Sequence, residues 1–141
     1  GYHDLPEQTA RALRNGWLHT GDIARMDEDG YIYIMERKDD LIIRGGENIY
    51  PREVEEILYR HPAVAEAAVI GAPDAELGQV VSAFVVRRAE QTVSEAELIA
   101  YCAANIAKFK TPKTIRFLDA LPKNPIGKIL RKELRAMANN K

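Results

Sequence analysis

The sequence predicts an α+β protein, in which a small sheet is packed with about three helices and is preceded by a β-hairpin segment. Residues 64–70 and 80–86 are runs rich in valine and other strand-forming residues. Residues 51–60, 94–106 and 129–137 carry apolar residues at helical spacing. After residue 40 the segments follow the order β-α-β-β-α-β-α, which is typical of helices packed on one small sheet.

The first 40 residues predict a short helix and a hairpin. The helix is expected over residues 6–14. A strand at residues 17–26, interrupted at Thr20-Gly21-Asp22, and a return strand at residues 31–35 are expected, joined by the turn Asp27-Glu28-Asp29-Gly30. The run Arg37-Lys38-Asp39-Asp40 then places four charges between two apolar runs. Such a run makes a poor core, so it indicates a domain boundary.

Beyond this boundary each element has a local signal. Short strands are predicted at residues 41–43, 49–50 and 114–118. Pro51 suits the first turn of a helix, because its missing N–H is not needed there. The residues Gly71-Ala72-Pro73-Asp74 predict a turn between the two long strands.

The helices are predicted from caps and apolar stripes. Ser94 and Glu97 have the spacing of a capping box, a serine cap with a glutamate three residues later. Buried faces are expected at Val54, Ile57 and Leu58, at Leu98, Ile99, Cys102 and Ile106, and at Leu130, Leu134 and Met137.

Composition is that of a soluble globular chain: 46% of the 141 residues are hydrophobic and 29% are charged. No apolar run is long enough to span a bilayer, and the N-terminus lacks a signal-peptide pattern. The single cysteine, Cys102, excludes an internal disulfide and fits a reducing compartment, so we expect a cytoplasmic protein. No Cys/His cluster has zinc spacing, and no metal site is expected.

Positive charge is concentrated at the end of the chain. Residues 1–107 hold 10 Lys and Arg against 19 Asp and Glu, whereas residues 108–141 hold 10 against 2. A basic segment of this kind suggests an anionic partner, either nucleic acid or a phosphate-bearing small molecule. A solvated basic surface is the alternative.

The stretch from Pro122 to Arg131 presents one lysine from a stiff loop. Pro122 and Pro125 restrict the backbone, and Gly127 allows a turn where a side chain would clash. Lys128 follows at the start of the basic last helix. This arrangement can aim a point charge at an anion, although a lone Gly-Lys pair is more often a loop lysine in water.

Three segments taken together resemble the acyl-adenylate-forming superfamily: Thr20-Gly21-Asp22, residues 36–51 and residues 122–128. That superfamily includes acyl- and aryl-CoA synthetases, adenylation domains of peptide synthetases and firefly luciferase. The similarity covers nearly the whole chain and is greatest to fatty acyl-CoA ligases. Such enzymes join a carboxylic acid and Mg-ATP into an acyl-adenylate and pyrophosphate, and coenzyme A then displaces AMP to give a thioester.

The resemblance implies that residues 1–38 are the end of a large N-terminal adenylating domain and that residues 39–141 are a mobile C-terminal domain. ATP, Mg²⁺ and coenzyme A would be substrates of the full enzyme, and this fragment alone is expected to bind none of them tightly and to be inactive. No Gly/Ser/Thr-rich phosphate loop occurs in the sequence. The expected partners are the fragment's own N-terminal domain, coenzyme A and the acyl-adenylate, without nucleic acid.

For the adenylation step, the resemblance assigns four residues. Asp22 would accept hydrogen bonds from the ribose hydroxyls, and Arg37 would contact the ribose and phosphates. Asp39 would be the hinge for the domain rotation. Lys128 would stabilise charge on the substrate carboxylate and the α-phosphate. Each residue also has a structural alternative. Asp22 would only cap a turn, and Arg37 would form a surface ion pair with Glu36 or Asp39. Asp39 would be a plain turn residue, and Lys128 a solvated loop lysine.

For the thioester step, the resemblance points to the glycine turn and a basic segment. Gly45 and Gly46 would leave a channel for pantetheine, or they form an ordinary hairpin turn. Arg44, where relatives usually have a small residue, would attract coenzyme A phosphates or point to solvent. Phe109 would stack on the adenine of coenzyme A while Lys108 and Lys110 meet its phosphates. The alternative is a core phenylalanine flanked by solvated lysines.

Two other functions stay open at this point. The first is an adenylation domain that loads a carrier protein, which a carrier-protein domain following Lys141 would favour. The second is a non-catalytic basic module, which salt-sensitive binding to DNA or RNA would favour. The resemblance implies that acyl specificity lies in the N-terminal domain and not in these residues.

Overall fold

The computed structural model describes residues 1–139 and contains two compact units, Gly1–Asp39 and Asp40–Lys141. We call them the first unit and the second unit. The division falls inside the charged run at residues 37–40, one residue beyond the boundary that the sequence suggests. Within residues 1–139, no helix has the length and apolar character needed to cross a membrane.

The first unit is built from short elements. They are α1 (Pro6–Ala12), β1 (Leu13–Arg14), β2 (Trp17–Leu18), β3 (Asp22–Met26) and β4 (Ile32–Arg37). The helix ends before the predicted residue 14, because Leu13 and Arg14 pair with β2 instead. Asn15 and Gly16 close that hairpin with φ of 53° and 79°, the positive values that a tight two-residue turn requires. The turn of the β3–β4 hairpin lies where it is predicted, with Asp27 accepting the amide N–H groups of its own turn. The strand predicted over residues 17–26 is instead two strands, β2 and β3, which belong to separate sheets, and β4 extends two residues past the predicted residue 35.

The second unit is the α+β fold that the sequence predicts. Its helices are α2 (Pro51–Tyr59), α3 (Glu95–Asn105), a 3₁₀ turn (Lys108–Lys110) and α4 (Arg131–Asn139). Its strands are β5 (Ile42–Arg44), β6 (Glu47–Ile49), β7 (Val64–Asp74), β8 (Gly78–Arg87) and β9 (Thr114–Phe117). The sheet order is β6-β5-β8-β7, and β9 pairs with β8 in parallel. Strand β8 is therefore the centre, since it pairs with three other strands.

Side chains of β8 alternate between two hydrophobic clusters on opposite faces of the sheet. Val81, Ala83 and Val85 join the larger cluster with α2 and α3. Phe84 joins the smaller cluster with Leu134 of α4. The second unit thus has helices on both faces. The predicted Ser94–Glu97 capping box is present at the start of α3 and is confirmed.

Two local predictions in the second unit are wrong. The residues Gly71–Asp74 continue β7 rather than forming a turn, and the turn falls at residues 75–77. Strand β7 lies at the edge of the sheet, where proline is tolerated because no partner needs its N–H. Met137 is 39% exposed, because the buried stripe of α4 runs from Leu134 to Ala138, four residues apart, instead.

Candidate functional site

The β3–β4 pairing brings two predicted nucleotide contacts together in the first unit. Asp22 and Arg37 are directly opposite each other in the antiparallel register. Arg37 Nη1 donates to Asp22 Oδ1 at 2.8 Å, so the guanidinium and the carboxylate form an ion pair at the strand ends. Both side chains keep contact with solvent, at 51% for Arg37 and 26% for Asp22. The pair can therefore meet a ligand without unfolding of the hairpin.

The turn before Asp22 is held by backbone and hydroxyl bonds. The Asp22 amide donates to Thr20 Oγ1 at 3.2 Å, and the Lys38 amide donates to the Gly21 carbonyl at 2.7 Å. Gly21 has a φ of 78°, which favours glycine, and a Cβ built there would lie 3.6 Å from Arg37 Nη2. The Thr-Gly-Asp segment is thus a shaped turn beside the arginine.

These residues line a cleft of about 680 Å³ within the first unit. Its basic side chains are Arg11, Arg14, Arg37 and Lys38, and its acidic ones are Asp22 and Asp39. The volume falls in the usual range for small-molecule pockets, about 300–1,000 Å³. A cleft with an excess of cations and two carboxylates suits a ligand that carries both phosphates and hydroxyl groups.

Lys128 lies on a loop that closes on itself. Lys123 and Ile129 form an isolated β-bridge, and the Asn124 amide donates to the Lys128 carbonyl at 2.9 Å. Asn124 Oδ1 also accepts the Lys128 amide at 2.8 Å. Gly127 completes the turn with a φ of 81°. Asn124 therefore binds both the amide and the carbonyl of Lys128 and fixes its backbone.

The side chain of Lys128 is exposed, and among residues 1–139 its ammonium has no ion-pair partner. Ile126, two residues earlier, is 86% exposed at the loop tip. At the start of the same loop, Lys123 forms a salt bridge with Glu66 of β7 at 2.7 Å. The loop thus presents an uncompensated cation and an apolar side chain from a fixed backbone.

A charged network anchors the helix that follows this loop. Asp40 accepts from Arg135 at 2.5 Å and lies 3.8 Å from Arg131. Arg131 also donates to Glu55 of α2 at 2.7 Å, and Glu55 accepts the Val69 amide of β7 at 2.9 Å. These bonds therefore connect Asp40, the first residue of the second unit, with α4, α2 and the edge strand β7.

Gly45 and Gly46 form the turn between β5 and β6, with φ of 57° and 88°. Both values lie in the left-handed region, where glycine is preferred. The Gly45 amide donates to the Leu77 carbonyl at 2.9 Å. Arg44, the residue before the turn, donates to the Phe109 carbonyl at 3.2 Å. Two of the segments that the sequence assigns to the thioester step are thereby in contact.

The 3₁₀ turn gives its three residues different surroundings. Phe109 is partly buried against the larger hydrophobic cluster. Lys110 pairs with Glu53 at 2.7 Å. Lys108 is exposed and lines a cavity of about 400 Å³ together with Arg44. Arg44 and Lys108 are thus the two predicted coenzyme A contacts that share a concave surface, while Lys128 lines neither of the two cavities described here.

Sequence reasoning missed an aspartate and a lysine beside this cavity. Asp74 Oδ2 accepts from Lys113 Nζ at 2.8 Å, and Asp74 Oδ1 accepts the amides of Glu76 and Leu77, both at 3.1 Å. The Lys113 hydrogen bond, with those two amides, lowers the pKa of Asp74 to about 2. An aspartate that precedes a short loop is a known turn signal, but its partner 39 residues away has no local signal.

Comparison with known proteins places the chain among larger enzymes. Residues 53–128 match the AMP-binding enzyme C-terminal domain. The chain is 52% identical over 137 residues to a 2-succinylbenzoate--CoA ligase of Bacillus cereus (strain ATCC 10987 / NRS 248), covering 97% of this chain and 28% of that one.

Solved structures give the same result. The crystal structure of ATP-bound MatB from Rhodopseudomonas palustris matches with a TM-score of 0.89 and 40% identity, over 99% of this chain and 28% of that one. A Mycobacterium tuberculosis fatty acyl CoA synthetase matches with a TM-score of 0.72 and 46% identity, over 96% of this chain and 27% of that one. The chain therefore spans just over a quarter of the length of the relatives that it matches. This chain belongs to the AMP-binding enzyme C-terminal domain family and is similar to the C-terminal part of acyl-adenylate-forming CoA ligases.

Proposed function

We propose that this chain is the C-terminal part of an AMP-forming carboxylic acid–CoA ligase. The whole enzyme would convert a carboxylic acid and Mg-ATP into an acyl-adenylate and pyrophosphate. The thiol of coenzyme A would then displace AMP and leave the acyl group as a thioester. The observation that carries this proposal is the exposed Lys128 ammonium on its hydrogen-bonded loop, in a chain whose relatives are named as CoA ligases.

The first unit supports the view that residues 1–38 complete a larger adenylating domain. None of its hydrophobic side chains is buried, and Glu36 is its one buried residue. Trp17, Ile32 and Ile34 are 75%, 68% and 57% exposed. A unit that exposes this much apolar surface needs cover. We infer that the remainder of the adenylating domain supplies it.

The cleft in the first unit supports the nucleotide roles of Asp22 and Arg37. A carboxylate that accepts from ribose hydroxyls and a guanidinium that donates to phosphate oxygens are complementary to AMP. In the described structure the two groups neutralise each other at 2.8 Å. We propose that the nucleotide takes over part of this pairing when it binds.

Lys128 would act in the adenylation step. The carboxylate oxygen attacks the α-phosphorus, and negative charge builds on the phosphate oxygens as pyrophosphate leaves. A lysine held in position beforehand stabilises that charge without reorganisation. The Asn124–Lys128 bonds supply this preorganisation for the backbone.

Asp39 would be the hinge, since it is exposed and is the last residue of the first unit. Rotation about it would replace Lys128 by the Gly45–Gly46 turn for the thioester step. Arg44 and Lys108 would then meet the phosphates of coenzyme A, because both line the 400 Å³ cavity beside that turn. Phe109 and Lys110 would support this surface from its rim.

For the substrate we propose a carboxylic acid and name no particular acid. The relatives are named as a 2-succinylbenzoate ligase and a fatty acyl CoA synthetase, so both aromatic and aliphatic acids occur among them. Our expectation of a fatty acid is therefore tested by assaying the intact enzyme with fatty acids of several lengths and with 2-succinylbenzoate.

The test of the proposed function is Lys128→Ala in the intact enzyme. Loss of one aligned charge-stabilising group should slow pyrophosphate release from acid and ATP by about 100- to 1,000-fold, or about 3–4 kcal/mol. Thioester formation from synthetic acyl-adenylate should stay near the wild-type rate, because Lys128 is not used in that step. Lys132→Ala, an exposed lysine in the first turn of α4, is the matched control and should change neither rate.

Two results would contradict the assignment. Equal loss in both half-reactions would mean that Lys128 is not specific to adenylation. No loss in either would mean that it is a solvated loop lysine. A wild-type enzyme that releases no pyrophosphate with any acid would reject the ligase proposal as a whole.

A further inference from the structure

The turn between β7 and β8 lies directly against the Gly45–Gly46 turn. The Leu77 carbonyl accepts the Gly45 amide at 2.9 Å. The Leu77 side chain is also close, since a Cβ built on Gly45 would lie 3.3 Å from Leu77 Cδ2. Strand β5 reaches β8 through one register pair, Arg44 with Gly78. The position of the glycine turn therefore depends on the position of Leu77.

Asp74 fixes the conformation of that supporting turn. Its Oδ1 accepts the amides of Glu76 and Leu77, both at 3.1 Å, which orders residues 75–77 from one carboxylate oxygen. Its Oδ2 accepts from Lys113 at 2.8 Å. The Lys113 backbone is itself held to β8, because its amide donates to the Val81 carbonyl at 2.8 Å.

The carboxylate of Asp74 is the form that makes all of these bonds. Its side chain is 13% exposed, and the lowered pKa keeps it ionised throughout the neutral range. Lys113 and Leu77 line the same 400 Å³ cavity as Arg44 and Lys108. Asp74 thus sets the geometry of one wall of that cavity and neutralises one of its three cations.

We propose that Asp74 is a positioning residue for thioester formation, acting through Leu77 on the Gly45–Gly46 turn and through Lys113 on the adjoining cavity. This inference rests on the proposed function. Asp74 would act through these bonds and not on the reacting atoms. It holds the backbone past which the thiol arm would travel, and misplacement of such a surface by about 1 Å can cost about 100-fold in rate.

The test measures the two half-reactions separately in the intact enzyme. Asp74→Ala should lower the kcat for thioester formation from synthetic acyl-adenylate and coenzyme A by about 10- to 100-fold. Pyrophosphate release from acid and ATP should stay within about twofold of wild type, because within residues 1–139 the Lys128 loop bonds to itself and to Glu66 rather than to this turn. The ratio of the two rates is the readout, since a general loss of stability would move both together.

Two further variants separate the two bonding roles of Asp74. Asp74→Asn keeps an oxygen for the Leu77 amide but loses the charge facing Lys113, so its effect should be smaller than that of Asp74→Ala. Lys113→Met removes the ion pair together with one of the three cations of the cavity. Its kcat should match that of Asp74→Asn, and the loss of the cation should raise only the KM for coenzyme A. Both variants keep the turn bonded and carry the test if Asp74→Ala does not fold.

Ser94→Ala is the control for stability. It removes the cap of α3, which should destabilise the unit without touching the glycine turn, and it should leave the ratio of half-reactions unchanged. Equal losses in both half-reactions for Asp74→Ala, or wild-type rates in both, would overturn the inference. A wild-type enzyme that forms no thioester from adenylate would instead reject the proposed function.

Discussion

Glu55 offers a sharp test of how the second unit is held together. Its Oε1 accepts two hydrogen bonds, from the Val69 amide at 2.9 Å and from Arg131 Nη2 at 2.7 Å. Because β7 is an edge strand, the Val69 N–H on its free side bonds to Glu55 and, within residues 1–139, to no strand. The Glu55 carboxylate therefore accepts a hydrogen bond from the edge-strand amide of Val69 and also holds Arg131, the first residue of α4. We predict that Glu55→Ala is strongly destabilising.

The expected cost follows from the two bonds. A buried amide without an acceptor costs about 1–3 kcal/mol, and a hydrogen bond to a charged group contributes about 1.5–3 kcal/mol. Asp40 remains 3.8 Å from Arg131, so part of the arginine's charge stays compensated. We therefore expect a loss of about 3 kcal/mol in the free energy of unfolding, less than the sum of the two upper values.

The next residue of the same helix is the matched control. Glu56 is 56% exposed and pairs with Arg52 four residues earlier at 3.1 Å. Exposed pairs of this spacing contribute about 0.3–0.5 kcal/mol, so Glu56→Ala should cost about 0.5 kcal/mol or less. Urea unfolding of the 141-residue chain, followed by far-ultraviolet circular dichroism, gives both values. If the two variants lose the same free energy, the Glu55 network stabilises no more than a surface pair and our reasoning is refuted.

Two further predictions concern the hinge and the cysteine. Asp39→Pro in the intact enzyme should preserve one half-reaction and abolish overall thioester formation, because proline fixes φ near −65°. The control, Asp39→Ala, should retain turnover. Near-normal turnover of the proline variant would exclude Asp39 as the hinge. Burial raises the pKa of Cys102 from 9.0 to about 11, so the unfolded thiol ionises first and the free energy of unfolding should fall as pH rises from about 9 to about 11. Cys102→Ala should lack this contribution in denaturant titrations over that range, and an identical pH dependence in both proteins would contradict the assignment.

Local signals were sufficient to predict most of the fold. Pro51 at the start of α2, the Ser94–Glu97 box and the turn at Asp27 each act within a few residues of the chain. The prediction failed at Gly71–Asp74, where glycine, proline and aspartate suggest a turn. Pairing of these residues with β8 outweighs their local preference, because the edge position removes the penalty for Pro73.

The predicted site residues are a different case. Asp22 and Arg37 were assigned to one ligand by the resemblance, but their pairing with each other was not predicted. They lie opposite each other only because the β3–β4 register shifts between Ile23 and Ala24, beyond the strand predicted at residues 31–35. The bonds that organise the rest of the site join distant residues: Glu55 with Arg131 is a separation of 76, and Asp40 with Arg135 is one of 95. No periodicity or spacing encodes such pairs. They follow from the tertiary packing of α4 on the sheet, which only the structure gives.

The central position of β8 in the sheet has a consequence for folding during synthesis on the ribosome. Strands β7 and β8 form one hairpin and can pair as soon as both have emerged, but β9 is synthesised only after α3 and the 3₁₀ turn. At a translation rate of about 5–20 residues per second, the valine-rich edge of β8 that later binds β9 remains unpaired for a few seconds. An unpaired apolar edge is a template for a foreign strand. The nascent chain therefore passes through an interval in which the strand that later organises the sheet is also its most vulnerable part.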